Sequence, residues 1–528
     1  MARHSTSVPS LRKADANDSH RPVSRSPAQA RPSFDARQRT IFARIARCDR
    51  DHALPAPATQ PPADPASVRL VHEFDAVIAG GGIAGSSTAA ALARTGLRVL
   101  VCESGLPDER RLAGELFHPP AVANLDRLGL LTPELRSTAM LSYGFALFRG
   151  PTDPGTVLAY HEVPHGHAYG LATEHSFLTR QLLSAAAAQP NVHVWEGARV
   201  LAADARPHGT YVNVIRNGQP ERVACRLLVS AEGRASKLRK QAGIIAEPSA
   251  THRLIGWRIR HASLPFPGFG HIFLGGPATA LAYQIAPDEA RVMFEIPASG
   301  PLEVPTATLA SLPDSLRTEV EQVMGRERSA VAKVVTLAPT RAVASGFAVV
   351  GDAGGCSHPL TASGISACVR DAMLLGETLA DEQVTVAPSR LDRALVRYET
   401  GRRRAVRTRV LLASALRDAL YRPEPDMQVL REALFDYWHR SPRGRQTSIG
   451  LLTTQHDDTT TLLREYAGIS LRALNVMRAR GGDDIAVVPA LAGLARRNAG
   501  YLADAVPRPA ELLTRFRPLP RRHDHAAV

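Results

Sequence analysis

The chain has 528 residues, room for two or three packed units, and its 44% hydrophobic and 22% charged residues are ordinary for a soluble globular protein. Its net charge of +14 is carried almost wholly by arginine, since Lys13, Lys237, Lys240 and Lys333 are its lysines. No aromatic-interleaved basic stripe accompanies that charge, which excludes nucleic acid as partner; no window of about 18 apolar residues predicts a membrane span, and no apolar leader core opens the chain. The five cysteines are dispersed without CxxC spacing. That pattern argues against a disulfide framework or a zinc site and for reduced thiols in the cytoplasm.

Residues 1–70 carry 12 basic and 6 acidic side chains among many Ala, Pro and Ser. Such a tail buries too little apolar surface to order itself. Within it, Ile41 to Ala46 lies in an Arg-rich stretch that suits either a basic amphipathic helix on a membrane surface or a solvated tail. From Phe74 the texture changes. Phe74 to Ala79 reads as a buried strand, Ile83 to Thr95 as an Ala-rich helix, and Arg98 to Glu103 as the next strand. This β-α-β unit predicts a parallel sheet.

Between the first strand and the helix stands GxGxxG at Gly80, Gly82 and Gly85. The first glycine permits the tight turn, the second lets a pyrophosphate approach the backbone, and the third lets helix pack on strand. The helix N-terminus then offers N–H groups and a positive dipole to phosphate. Glu103 ends the second strand 23 residues after Gly80, where a carboxylate can accept both ribose hydroxyls of an adenosine. This motif alone serves FAD and NAD equally.

Further along, Leu227 to Ser230 read as a strand entering Ala231-Glu232-Gly233-Arg234, followed by Lys237 and Arg239. That basic turn suits a cofactor's phosphates, and an ordinary solvated turn is the alternative. Phe347 to Val350 form an apolar strand ending in Gly351-Asp352, and a helix begins near Gly364. An Asp at that edge binds a ligand hydroxyl, and the helix N-terminus stabilises negative charge on a flavin ring. A second site about 270 residues beyond the first suits an extended FAD, which NAD does not require. Leu391 to Tyr421 is a long helical pattern and the rest of the C-terminus also reads as helical. Arg402, Arg403, Arg404, Arg407 and Arg409 give that helix a basic face, fitted to solvent or to an anionic membrane.

Together the three motifs resemble the FAD-dependent monooxygenases of the para-hydroxybenzoate hydroxylase fold, with Glu232 where that family usually has Asp. A closer resemblance is to the squalene monooxygenases, over about residues 74–420. Arg111-Leu112-Ala113-Gly114-Glu115-Leu116 resembles their Arg-x-x-Gly-Glu-Leu, and Tyr283-Gln284-Ile285 their Tyr-Gln-Ile strand. Gly351-Asp352-Ala353 with His358-Pro359-Leu360-Thr361 resembles their Gly-Asp-Ala and His-Pro-Leu-Thr. The resemblance implies that Glu103 holds the adenosine ribose, that Arg111 and Arg180 contact FAD, and that the Val200 backbone meets the adenine. It implies that Asp352 binds the ribityl chain, that Pro359 to Ile365, including Gly364, face the flavin ring, and that Phe145 and Tyr283 line the substrate pocket. His118 and His358 are the candidate proton donors, with a structural histidine as the alternative for each. At four places the chain departs from the family: His118-Pro119-Pro120-Ala121 after Gly-Glu-Leu, Gly144-Phe145 for Gly-Tyr, Ala362-Ser363-Gly364 for a glycine run, and polar Gln455-His456-Asp457-Asp458 in place of apolar membrane-associating helices.

The expected fold class is α/β, a Rossmann-like FAD-binding domain interleaved with a β-sheet substrate domain. The FAD-binding parts fall at 71–145, 176–245 and 339–385, the substrate segments at 146–175 and 246–338, and a helical region at 386–528. The expected activity is insertion of one oxygen atom of O2 into an apolar, alkene-containing, isoprenoid-like substrate, with FAD as cofactor and no metal. NADPH or NADH supplies the electrons, directly or through a flavoprotein reductase. Alternatives are an epoxidase or hydroxylase of a prenylated aromatic or polyene, a flavin-dependent reductase of isoprenoid double bonds, and a non-catalytic FAD-binding protein. The expected place is the cytoplasm or the periphery of a membrane.

Overall fold

The computed structural model describes residues 70–106, 112–164, 166–206, 209–479 and 487–505. The basic tail, including Ile41 to Ala46, lies outside the described residues apart from Leu70, and so does Arg111.

The first unit of structure is β1 (Leu70–Ala79), α1 (Ile83–Ala93) and β2 (Val99–Glu103). Ala76 to Ile78 are fully buried, as a parallel strand covered on both faces must be. Every residue of α1 is buried, Ser86, Ser87 and Thr88 included, so this helix has no polar face. Its small side chains serve close packing. Then come β3 (Leu116–Phe117), α2 (Pro119–Arg127), α3 (Pro133–Thr138), β4 (Met140–Ser142), β5 (Gly144–Phe148), β6 (Thr156–Ala159), β7 (Gly170–Ala172) and α4 (His175–Ala187). Next are β8 (Val192–Glu196), β9 (Ala198–Arg206), β10 (Gly209–Arg216), β11 (Gln219–Ser230) and the short α5 (Lys237–Gln241).

The middle of the chain gives β12 (Ser249–Arg260), β13 (Gly270–Phe273), β14 (Thr279–Ala286), β15 (Glu289–Pro297), α6 (Thr306–Leu309), α7 (Asp314–Met324) and β16 (Ala330–Thr336). The chain then returns through β17 (Val343–Ala344), β18 (Phe347–Val349) and α8 (Gly364–Asp381). It ends in α9 (Leu391–Tyr421), α10 (Pro425–Arg440), α11 (Pro442–Leu452), α12 (Thr459–Ala479) and α13 (Val487–Ala505).

Among the described residues these strands form three sheets. An eight-stranded sheet runs β17-β18-β11-β1-β2-β8, with β10 and β9 added antiparallel beside β11. β1 pairs in parallel with both β11 and β2, so the strand ends before Gly80 and before Ala231 lie side by side: Ala79 is opposite Cys102 and Ser230. β18 joins β11 in parallel, bringing the Gly351-Asp352 turn to the same edge. A seven-stranded sheet runs β16-β12-β15-β14-β13-β5-β6, and β3, β7 and β4 form a small third sheet. α8 packs on α1 so closely that a Cβ on Gly376 would lie 3.0 Å from the Ala91 Cβ.

Candidate active site

Gly80 has φ +103°, and a Cβ there would lie 2.6 Å from the Ala231 carbonyl oxygen. A Cβ on Gly85 would lie 1.8 Å from the Gly80 carbonyl oxygen. Only glycine fits either position. Gly82 differs: it starts α1 without a side-chain cap, and a Cβ there meets nothing within 4 Å. The buried Glu103 carboxylate accepts from Gly81 N at 2.5 Å and Gly105 N at 2.6 Å. Two bonds leave about half the acceptor sites of a carboxylate free. Leu183 of α4 packs on Gly81, and the exposed Arg180 lies one turn before it on that helix. Val200 is buried on β9 opposite Val214.

The Gly351-Asp352 turn docks directly on this cradle. Gly351 has φ +58°, and a Cβ would lie 2.7 Å from the Ala84 Cβ and 2.8 Å from Cys368 Sγ. It is wedged between Ala84 in the first turn of α1 and Cys368 in the second turn of α8. Its N–H donates to Asp371 Oδ2 at 2.9 Å, and Arg402 Nε donates to the same oxygen at 2.9 Å. Arg239 Nη1 donates to the Ala353 carbonyl at 3.0 Å, and Tyr398 Oη to that of Val349 at 2.9 Å. Arg409 is buried too, its Nη2 3.4 Å from the Gly355 carbonyl. The solvated or membrane-facing reading of the α9 arginines is therefore corrected for Arg402 and Arg409, which face inward, while Arg403 pairs with Glu399 on its own helix. The Glu232 departure also acquires a local account. Its Oε2 accepts from Ser236 Oγ at 2.7 Å and Leu238 N at 3.0 Å, so the longer side chain reaches the first turn of α5.

The segment from His358 to Ile365 is held by its histidines. The carbonyl of Thr361 can only accept, so His118 Nε2 carries the proton and donates to it at 2.8 Å; Nδ1 accepts from Tyr160 Oη at 2.9 Å. Burial lowers the His118 pKa to about 4, against a small opposing pull from the Thr361 carbonyl, so the ring is neutral at pH 7. His358 Nδ1 accepts from Leu360 N at 3.3 Å, which puts its proton on Nε2, 2.7 Å from Glu295 Oε1. Both nitrogens of each ring are engaged within the protein. This geometry favours the structural alternative for both histidines. Ala362 takes φ +47°, left-handed for a residue with a Cβ. Gly364 opens α8, with no side-chain cap, and a Cβ on it meets nothing within 4 Å. Two uncapped helix N-termini with open space before them thus flank one turn, a layout that suits a cofactor with pyrophosphate at one end and an anion-forming ring at the other.

Gly114 packs on Ile365, and its neighbour Glu115 is buried under the turn. Arg291 grips Glu115 from β15, Nη2 to Oε1 at 2.6 Å and Nε to Oε2 at 3.0 Å, and Tyr283 Oη donates to Oε2 at 3.0 Å. Tyr283 is thus committed to the carboxylate, and it is not part of the apolar cavity in which Phe145 sits. That cavity is apolar over almost all of its lining. Leu360 from the turn, Phe145 and Leu147 from β5, Leu158 from β6 and Ile272 from β13 line one part of it. Leucines of α9, α10, α11 and α12 supply most of the rest. The C-terminal helices, read from sequence as more polar than their counterparts, send their apolar side chains into this wall. Gln455 to Asp458 occupy the connection between α11 and α12, where Asp457 pairs with Arg370. Among the described residues no helix is long and apolar enough to cross a membrane, and no group of three or more His, Cys, Asp or Glu is placed to hold a metal ion.

Comparison with known proteins agrees with this layout. The p-nitrophenol 4-monooxygenase of Pseudomonas putida DLL-E4 superposes with a TM-score of 0.62 at 19% identity, over 73% of this chain and 99% of that one, and so has the same fold. Residues 224–485 match the squalene epoxidase family model. The squalene epoxidase of Schizosaccharomyces pombe is 28% identical over 59% of this chain and 70% of its own length. The squalene monooxygenase of Mus musculus is 25% identical over 81% of this chain and 76% of its own. The chain is an FAD-dependent monooxygenase. Within that class, its sequence similarity is to the squalene epoxidases.

Proposed function

We propose that the chain epoxidises a long apolar alkene of the squalene type, one atom of dioxygen entering the product and the other leaving as water at the expense of NAD(P)H. The observation that carries this reading is the apolar cavity lined in part by Leu360, in the turn before the uncapped N-terminus of α8. Bound FAD supplies the activation of dioxygen and the delivery of the oxygen atom. The protein's part is binding, orientation and exclusion of water. In this reading the α1 amides after Gly80, Gly82 and Gly85 take the pyrophosphate, and Glu103 takes the adenosine ribose. Arg111 and Arg180 contact the cofactor, and the Val200 backbone meets the adenine. Asp352, set after Gly351, takes the ribityl chain, and Pro359 to Ile365 face the ring. The α8 dipole, aimed over Gly364, stabilises negative charge that develops there. His118 and His358 hold the turn at fixed distance from the cavity instead of moving protons. The eight-stranded sheet acts as cofactor domain and the seven-stranded sheet, with α9 to α12, as substrate domain. A separate flavoprotein reductase delivers the electrons, and the substrate reaches the cavity from a membrane surface.

The test is incubation of the purified protein with FAD, NADPH, a generic flavoprotein reductase and squalene under labelled dioxygen. One labelled oxygen in a squalene epoxide is expected. Oxygen-independent loss of a double bond would replace epoxidation by reduction, and absence of any NAD(P)H oxidation would leave a non-catalytic flavoprotein.

A further inference from the structure

Of the carboxylates buried around the turn, Glu115 pairs with Arg291 and Asp371 with Arg402. Glu295 differs. It stands on β15 between the buried Phe294 and Ile296, opposite Leu254 and Thr279 of the flanking strands. Its side chain is 1% exposed, and among the described residues no arginine or lysine pairs with it. What it meets is His358 Nε2 at 2.7 Å and, farther off, the Nδ1 of His252 at 3.9 Å. A carboxylate so placed is no gain in stability over an apolar side chain of its size. Its bond to His358 does something that an apolar side chain cannot. A neutral imidazole carries its proton on either nitrogen. On Nδ1 that proton would face the Leu360 N–H, donor against donor. On Nε2 it leaves Nδ1 to accept from Leu360 N, as it does at 3.3 Å. A carboxylate only accepts, so Glu295 excludes the first arrangement. The turn needs such a hold from outside. Ala362 takes φ +47°, and a left-handed residue with a Cβ persists where its surroundings over-determine it.

We infer that Glu295 is a positioning residue for the flavin-facing turn: it holds His358 in the Nε2–H tautomer, and the Nδ1 acceptor this leaves sets the turn from Pro359 to Thr361, whose Leu360 lines the cavity. Its effect on the cofactor rests on the reading above, in which the flavin ring lies against that turn. The seven-stranded sheet thereby fixes the backbone that follows β18 of the eight-stranded sheet.

The test takes the full-length protein with and without FAD. The His358 tautomer is read by nitrogen NMR of histidine-labelled protein, its signal assigned by its loss in His358→Asn, and FAD affinity by flavin fluorescence. The unsubstituted protein is expected to show Nε2–H. Glu295→Leu is expected to lose that tautomer and to bind FAD about tenfold more weakly, the equivalent of one hydrogen bond. Glu295→Gln, whose amide oxygen still accepts, should keep most of the affinity. His358→Asn keeps an oxygen to accept from Leu360 N but puts no ring nitrogen against Glu295, so in that background Glu295→Leu should cost nothing further. The paired variant also reports where Glu295→Leu alone does not fold. An unchanged tautomer, an equal loss of affinity in both backgrounds, or a Gln variant as weak as the Leu variant overturns the inference and leaves the monooxygenase reading standing. A tautomer that follows Glu295 while FAD affinity stays constant in every variant upholds the hold on the turn and removes the placement of the flavin ring against it.

Discussion

Gly351 and Gly364 separate packing from cofactor binding. At Gly351 an alanine must hold φ near +58°, at about 1–2 kcal/mol, and its Cβ would lie 2.7 Å from Ala84 Cβ and 2.8 Å from Cys368 Sγ, inside the ~3.5–4.0 Å of normal carbon contact. The turn must retreat from α1 by nearly an ångström, and such overpacking adds about 1–3 kcal/mol. Gly351→Ala is therefore expected to destabilise the FAD-free protein by about 2–5 kcal/mol. Gly364 has an ordinary φ and open space where its Cβ would stand. Gly364→Ala should leave the FAD-free protein as stable as before, or about 0.5–1 kcal/mol more so. Its methyl group nevertheless enters the space assigned to the flavin ring, so FAD affinity should fall at least tenfold. Denaturant unfolding of the FAD-free variants and FAD titration by flavin fluorescence measure the two quantities separately. Unchanged stability in Gly351→Ala would refute the wedge between the two helices. Unchanged FAD affinity in Gly364→Ala would refute the placement of the ring.

Glu115→Ala strands the Arg291 guanidinium in a buried site, so a loss of about 3–5 kcal/mol is expected in urea unfolding, with Glu115→Gln losing less. His118, with a native pKa of about 4 against 6.5 unfolded, makes the unfolded state the better proton acceptor between those values. Its contribution is complete above pH 6.5 and is lost as pH falls toward 4, about 3 kcal/mol in all, and His118→Gln should lessen the slope of the stability profile across that window, where buried His271, lowered to about 4 as well, keeps its own share. Ala362→Gly relieves a left-handed alanine at some gain in unfolded-state entropy and should raise the unfolding free energy by about 0.5 kcal/mol, whereas Ala362→Val should lower it.

Relatives and fold together define the class, but the placement of individual side chains separates this chain's site from a list of motifs. Glu115 and Tyr283 were each legible as parts of a resemblance, in segments about 170 residues apart, and Arg291 lies a further eight residues on. That they form one buried carboxylate–guanidinium–phenol cluster was not legible, because nothing local to any of them signals the others. The 402 and 409 positions share a face, seven residues apart on a helix. Charge alone directs such a face outward, and it is Asp371, on a different helix, that reverses the direction for Arg402.

What the sequence determined by itself is what short-range sterics decide. Gly80 and Gly85 answer to backbone conformation and to contacts within one β-α-β unit, and apolar runs such as Ala76 to Ile78 mark a strand covered on both sides. The bounds of α9, Leu391 to Tyr421, follow from a helical period visible in the residues themselves. Tertiary structure decided the docking of Gly351 on α1, the burial of Arg402 and Arg409, and the cavity. Each depends on surfaces far apart in the chain meeting, and a helix records which of its faces is apolar without recording what that face will cover.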